Sequence, residues 1–258
     1  MNKRTCLSAC LGLAVALAFA PIARSADFPE VIAKLKPRVV IVGTTRPTDS
    51  PRFRLRGTGF VVGDGNWVIT NAHVLPDSSE DTTGTTLVVQ VRQPDNSLQE
   101  RAATLLERDG VYDMALLRIE GPPVPAFVVR DSATVREGLA VAFMGFPIGG
   151  ALGFSTVTHR AVISSIASQV LPFPTSQQLS AKTIRAIRAG PFDIFQLDGT
   201  AYPGNSGGPL FDAATGELVG VINMVLIKGT RESALTHPTG ISYAIPSRFV
   251  LEIMQRNR

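Results

Sequence analysis

Short runs of β-branched and apolar residues alternate with turn residues along most of this chain. Arg38 to Gly43, Gly57 to Gly63, Trp67 to Thr70, Thr86 to Val91 and Met114 to Ile119 read as strands. Gly63-Asp64-Gly65-Asn66, between two of them, is a hairpin-turn sequence. Gly121-Pro122-Pro123-Val124-Pro125 breaks the pattern and is expected to begin a crossing between two halves. A second series follows at Gly138 to Met144, Ser155 to Ser164, Ile194 to Leu197, Leu218 to Val225 and Gly240 to Ala244. Two segments carry helical character. Phe28 to Lys36 stops at Pro37, and Arg248 to Arg256 spaces Phe249, Val250, Ile253 and Met254 at helical intervals. Many short strands without intervening helices predict barrels or sandwiches, an all-β fold, rather than a parallel α/β sheet. Asp77 to Gly84 reads as a polar surface loop. Ala167 to Asp193 mixes Pro-rich and basic pieces, with Ser180 to Ala189 a candidate short helix.

The N-terminal stretch departs from this pattern. A basic start with Lys3 and Arg4 precedes an apolar run from Cys6 to Ala20, and small residues follow at Ala23 and Ser25. That order describes a secretory signal peptide over residues 1–25, cleaved after Ser25 in preference to Ala26. The 15-residue run is short for a membrane span, which needs about 20. Leu7-Ser8-Ala9-Cys10 resembles a lipidation box but precedes most of the apolar run, against the order an anchor requires. Cys6 and Cys10 are the only cysteines, so the processed chain is expected to fold without disulfides. Lys3, Arg4 and Arg24 leave with the signal, and the net charge falls from +4 to +1. The basic balance is then an export feature and gives no ground for nucleic-acid binding. The remaining residues, 26–258, suffice for one large β domain or two small units.

Candidate chemistry centres on Gly204-Asn205-Ser206-Gly207-Gly208-Pro209-Leu210. A serine hydroxyl needs a base to take its proton and donors to hold the charge on the attacked carbonyl. Glycines around Ser206 let the backbone turn sharply and present its N–H groups. The chain has three histidines. His73 follows a predicted strand, His159 lies inside one, and His237 sits in a loop before Pro238. His73 is therefore the candidate base. Asp113, directly before Met114-Ala115-Leu116-Leu117, is the candidate carboxylate, with Asp109 as its nearest competitor. Gly-x-Ser-x-Gly also fits the elbow of an α/β-hydrolase, which would require Ser206, Asp212 and His237 in that order. The few helices and the short tail after Ser206 argue against it. The order His73, Asp113, Ser206 is the chymotrypsin-type order. No His-Glu-x-x-His and no cysteine pair is present, so neither a metal nor another cofactor is expected.

Three ordered blocks carry a resemblance. Thr70-Asn71-Ala72-His73-Val74, Asp113-Met114-Ala115-Leu116-Leu117 and Gly204 to Leu210 are similar to the signature blocks of the HtrA (Deg) family of trypsin-like serine proteases. Gly57-Thr58-Gly59-Phe60-Val61, Val141 to Gly149, Val157-Thr158, Val162-Ile163-Ser164, Gln196-Leu197-Asp198 and Ile241 to Pro246 extend it, from about Val39 to Ser247. The resemblance implies two six-stranded antiparallel β-barrels, about 38–120 and 136–246, and a C-terminal helix near 247–256. It implies catalytic His73, Asp113 and Ser206 in the cleft, with an oxyanion hole from the amides of Gly204 and Ser206. The implied activity is an exported serine endopeptidase of protein quality control or processing, acting on protein or peptide substrates. The implied location is the periplasm, or the exterior by secretion. Family members often trimerise through the segment before the first barrel. Asp27 to Lys36 could serve that way, or could cover the barrel of a monomer.

The chain also departs from the family pattern. The dozen residues after Ile245-Pro246 leave no room for a PDZ domain within this chain. Asn205 stands where digestive trypsin relatives carry an aspartate that pairs with a newly cut N-terminus. Activation by such a cut is therefore not expected. Thr200 stands where Lys- or Arg-specific enzymes carry an acid. The substrate pocket, assigned to Thr200, Ala201, Asn223, Met224 and Val225, is expected to accept small or medium apolar side chains. Two other readings stay open: a catalytically silent chaperone or scaffold on a protease fold, and an ester hydrolase on the same barrels.

Overall fold

The structure is a computed structural model and describes residues 27–77, 83–147, 154–169, 190–223 and 240–258. The expected signal peptide, residues 1–25, and the candidate helix at Ser180 to Ala189 lie outside the described residues. Twelve strands among the described residues form two closed barrels. The first holds β1 (Val39–Thr45), β2 (Phe53–Val62), β3 (Trp67–Asn71), β4 (Thr86–Arg92), β5 (Leu98–Asp109) and β6 (Met114–Ile119). The second holds β7 (Ala140–Gly145), β8 (Val157–Gln169), β9 (Phe192–Asp198), β10 (Pro209–Asp212), β11 (Leu218–Ile222) and β12 (Ile241–Pro246). Around each barrel the spatial order is the same, 1-2-3-6-5-4 and 7-8-9-12-11-10, and every pairing is antiparallel. This is the all-β, double-barrel architecture that the sequence resemblance implies.

The hydrophobic pattern explains why several strands read as unbroken apolar runs. Successive side chains of a strand point to opposite faces. Val40 and Val42 of β1, Val61 of β2, Val68 of β3, and Ala115 and Leu117 of β6 share one buried cluster that fills the first barrel. Their neighbours Val39, Ile41, Phe60, Val62, Ile69, Met114 and Leu116 face the other way. They join Met144, Phe211, Leu218, Val221 and Ile245 of the second barrel. A third cluster, including Phe143, Ile163, Phe195, Leu197, Leu210 and Val219, fills the second barrel. Strands buried on both faces lose the apolar–polar alternation of a half-exposed sheet.

Phe127, on the crossing segment, lies at the centre of the inter-barrel layer. Its ring meets Phe60 edge-on at 5.6 Å and Phe211 at 6.3 Å, and its N–H donates to Val61 O at 2.8 Å. Two helices close the layer. α1 (Phe28–Leu35) buries Val31 and Leu35 beside Gly216 of the β10–β11 turn, while the Arg160 guanidinium sits 4.0 Å over the Phe28 ring. Within this chain, then, α1 covers the second barrel. α2 (Arg248–Arg256) leaves the second barrel and returns to the first. Its Arg256 binds Glu107 at 2.7 Å and Asp109 at 3.2 Å, and its Phe249 stacks on Tyr112 at 3.9 Å between ring centroids.

Truncating the central aromatic tests this layer. Phe127→Ala should lower unfolding stability by about 3–5 kcal/mol, the usual cost of removing a buried aromatic ring. Urea unfolding followed by circular dichroism measures it.

Candidate active site

His73 sits in a single 3-10 turn, Ala72–Val74, directly after β3. Two arginines hold the carbonyls of this turn. Arg56 Nε donates to Val74 O at 2.7 Å, and Arg108 Nη2 donates to Ala72 O at 2.7 Å. Arg108 Nη1 also reaches Pro76 O at 3.1 Å. The imidazole is then oriented by Asp113. Oδ2 of Asp113 lies 2.5 Å from His73 Nδ1, and Oδ1 accepts the His73 backbone N–H at 2.9 Å. A carboxylate offers only lone pairs, so the neutral ring carries its proton on Nδ1 and leaves Nε2 as the basic nitrogen.

Asp113 is delivered by a tight turn. Asp109 Oδ1 accepts the N–H groups of Val111 and Tyr112 at 2.9 and 3.2 Å, which folds the chain back before β6. Asp113 itself takes φ +51, an uncommon value for a residue other than glycine. Its carbonyl accepts from Ala72 N and Asn71 Nδ2, each at 3.0 Å. Asp109, the competing candidate, is thus the residue that shapes the turn, and Asp113 is the one that meets His73.

Ser206 lies in the loop between β9 and β10, with its residue 6% exposed. The glycines about it are sterically required. A Cβ on Gly207 (φ +81) would fall 2.2 Å from Thr58 O, and one on Gly204 (φ +102) would fall 2.2 Å from Phe146 O. Thr58 fastens this loop to the first barrel. Its N–H donates to Ser206 O at 2.9 Å, and its hydroxyl donates to Gly204 O at 2.7 Å. The same hydroxyl accepts from Phe146 N at 3.1 Å, and Thr70 Oγ1 donates to Thr58 O at 2.7 Å. Within the loop the amides of Asn205, Gly207 and Gly208 donate to backbone carbonyls at 2.9, 3.0 and 2.9 Å. Among the described residues the amides of Gly204 and Ser206 donate to none. The hydrogen bonds of the His73 ring go to Asp113, and among the described residues none joins it to the Ser206 hydroxyl.

The assigned pocket residues divide. Thr200 and Ala201 lie on a segment held by a buried hydroxyl that the sequence reading missed. Ser242 Oγ donates to Gly199 O at 2.7 Å and accepts from Ala201 N at 2.8 Å. Met224 and Val225 lie outside the described residues. Asn223, expected in the pocket wall, is fully buried and engages Asp113 through its side chain: Nδ2 donates to Oδ2 at 2.8 Å. Asp113 therefore receives donors from both barrels.

His159 is a strand residue, as its position in β8 suggested. Its ring stacks on Phe143 at 4.7 Å, and its Nε2 lies 3.4 Å from Asn205 Nδ2, beside the candidate nucleophile. Burial lowers its pKa and favours the neutral ring.

Two closed barrels, one holding a carboxylate-bound histidine and the other a glycine-cradled serine, define the double-barrel class of serine hydrolase folds. Comparison with known proteins narrows the class. Residues 57–221 match the family described as "Trypsin-like peptidase domain". The chain belongs to that family. It is 30% identical over 197 residues to "Probable periplasmic serine endoprotease DegP-like" of Pseudomonas fluorescens, covering 76% of this chain and 34% of that protein. It is 32% identical over 201 residues to "Serine protease HTRA2, mitochondrial" of Bos taurus, covering 78% of this chain and 36% of that protein. The chain thus spans about a third of the length of these relatives. Among solved structures it resembles "HtrA-type protease AlgW with tripeptide", with TM-score 0.61 and 26% identity over 89% of this chain and 62% of that one. The HtrA likeness read from the motifs is borne out.

Thr58→Val keeps shape but strands the Gly204 carbonyl. It should cost about 1–3 kcal/mol in urea unfolding, the penalty of an unsatisfied buried group, while Thr58→Ser retains stability. For His159 the unfolded chain regains an ordinary pKa of about 6.5. The unfolded state then binds the proton more readily. The contribution of the buried neutral ring is intact above about pH 6.5 and is lost as pH falls through the lowered native value. His159→Gln should therefore lose less thermal stability than wild type between about pH 7.5 and 5, measured by calorimetry.

Proposed function

We propose that the protein is an exported serine endopeptidase that cleaves by way of an acyl-enzyme. Ser206 is the nucleophile, His73 the base, and Asp113 the carboxylate that holds the imidazole and stabilises its charged form. One observation supports this reading above the others. Asp113 binds the Nδ1 side of His73, so the free basic nitrogen is the one a serine would use. The amides of Gly204 and Ser206, without backbone partners among the described residues, suit an oxyanion hole. His73 then returns its proton to the leaving amine, and water repeats the cycle on the acyl-enzyme. Closure of the His73–Ser206 contact on substrate binding is part of the proposal, since catalytic hydrogen bonds are often long in unliganded sites. Relatives named as periplasmic endoproteases support an exported role.

For specificity we propose cleavage after Val, Ala, Leu or Ile. Thr200 and Ala201 supply no carboxylate to pair with a buried cation. The Asn223 amide bonded to Asp113 acts as a positioning group.

A fluorophosphonate probe should label the purified protein at Ser206, mapped by mass spectrometry, and should fail with Ser206→Ala. Asp113→Asn should lower kcat by about 10,000-fold through loss of the correct tautomer. Asn223→Ala should lower kcat/KM by about tenfold, equivalent to one charge-assisted hydrogen bond. A folded wild-type protein that leaves the probe unreacted would favour the scaffold reading. Labelling with hydrolysis of esters but not peptides would favour the esterase.

A further inference from the structure

We propose that His159 is a positioning residue: its Nε2 accepts the Asn205 side-chain amide and thereby fixes the peptide plane that carries the Ser206 N–H. The use of that N–H as an oxyanion donor rests on the peptidase reading above.

The pairing of β7 with β8 sets Phe143 opposite His159. Side chains alternate along β8, and Ala161 and Ile163 belong to the apolar cluster that fills the second barrel. His159 therefore faces into the mouth of that barrel, a polar ring where the strand pattern calls for an apolar one. It has two aromatic neighbours, stacked on Phe143 at 4.7 Å and tilted against Tyr202 at 6.0 Å. Its Nε2 lies 3.4 Å from Asn205 Nδ2. An amide nitrogen can only donate, so Nε2 accepts, and the proton of the neutral ring sits on Nδ1.

Asn205 is fully buried and forms the joint of the nucleophile loop. Its N–H donates to Tyr202 O and its carbonyl accepts from Gly208 N, each at 2.9 Å. Both bonds close short turns inside the loop. Thr58 ties the neighbouring carbonyls of Gly204 and Ser206 to the first barrel. The Asn205 side chain is what reaches β8. Its Oδ1 has no hydrogen-bond partner and faces Gly145, where a Cβ would fall 2.6 Å from it. Among the described residues, the bond to His159 is the one hydrogen bond this carboxamide makes. Losing it would leave the whole buried amide unsatisfied and free the Asn205–Ser206 peptide to rotate.

Protonation of the ring would replace the Nε2 lone pair with an N–H that opposes the amide N–H. The carboxamide would then have to turn over or withdraw, and the loop would move with it. Burial disfavours the charged ring and lowers its pKa, so the bond is kept at neutral pH and is lost on the acid side. Of the three side chains that meet the ring, Phe143, Tyr202 and Asn205, only Tyr202 is titratable. Arg160, next along β8, turns its guanidinium to the Phe28 ring of α1.

The test compares His159→Leu, which suits an apolar barrel but cannot accept, with His159→Gln, whose Oε1 can. Both are first checked for a native circular dichroism spectrum. On a peptide with Val before the cleaved bond, His159→Leu should lower kcat by about tenfold with little change in KM, and His159→Gln should recover kcat to within about threefold of wild type. In Asn205→Ala, which lacks the donor, His159→Leu should cause no further loss. On the acid limb of kcat/KM the wild type should steepen from one proton to two, and His159→Gln should stay at one. A second arm needs no turnover. In isotope-labelled Ser206→Ala protein, the nuclear magnetic resonance signals of the Asn205 side-chain amide and of the backbone amide at position 206 should shift together as pH falls. Adding His159→Gln should remove that step. The coupled shift, in a protein whose wild type neither cleaves peptides nor reacts with a fluorophosphonate, upholds the positioning role and overturns the peptidase reading alone. A kcat for His159→Leu within about twofold of wild type, or amide shifts that persist with His159→Gln, overturns the inference.

Discussion

One buried threonine side chain and its backbone decide whether the two barrels can share a site. Thr58 is fully buried and uses its N–H, hydroxyl and carbonyl to join β2 to the Ser206 loop, to Phe146 and to Thr70. A site split between barrels is only as well defined as the contact across them. Here that contact falls on Ser206 itself and on Gly204, where a displacement of even an ångström would spoil the alignment that proton transfer needs. The apolar layer around Phe127 provides most of the cohesion. The hydrogen bonds of Thr58 add direction, which apolar burial alone lacks.

The carboxylate shows the same division of labour. Asp113 sits on the first barrel, yet Asn223 of the second donates to it. Its turn is shaped by Asp109, and Asp109 is held by Arg256 from the returning helix. The His73 turn is fixed separately, through carbonyls bound by Arg56 and Arg108. His73 and Asp113 are therefore restrained through backbone and side chain alike, and Ser206 through its backbone. This is the kind of support that pre-orients a candidate base and its carboxylate.

Much of this was legible in the residue order. Continuous apolar runs located β1, β3 and β6, and helical spacing gave α2 to the residue. Other parts were hidden for physical reasons. β5, Leu98–Asp109, is mostly exposed and rich in Gln, Glu, Arg, Ala and Leu, residues that favour helix. It is a strand because β4 and β6 pair with both of its edges, an influence that no local pattern carries. β10 has four residues and begins inside the motif, where glycines and proline hid its start. Asn223 was read as a pocket residue because it sits just after β11; only the closing of the two barrels reveals that its amide meets Asp113. Ser242 and the two arginines are likewise long-range partners. Separations of 18 to 110 residues in chain order leave no periodic trace. His73, Asp113 and Ser206 could be named because their neighbours form recognisable blocks, and the blocks exist because each backbone must turn sharply there.

The course of α2 carries one more consequence. This helix starts in the second barrel and ends with Arg256 and Asn257 gripping Glu107, next to the bend that presents Asp113. The last turn of α2 and the acid of the candidate triad are in this way mechanically coupled. Tension applied at the last turn would travel through a single arginine into the bend, and from there to the imidazole. A bulky group or a surface tether attached just after that turn would load this lever. Attachment near α1, which rests against the opposite barrel, would not.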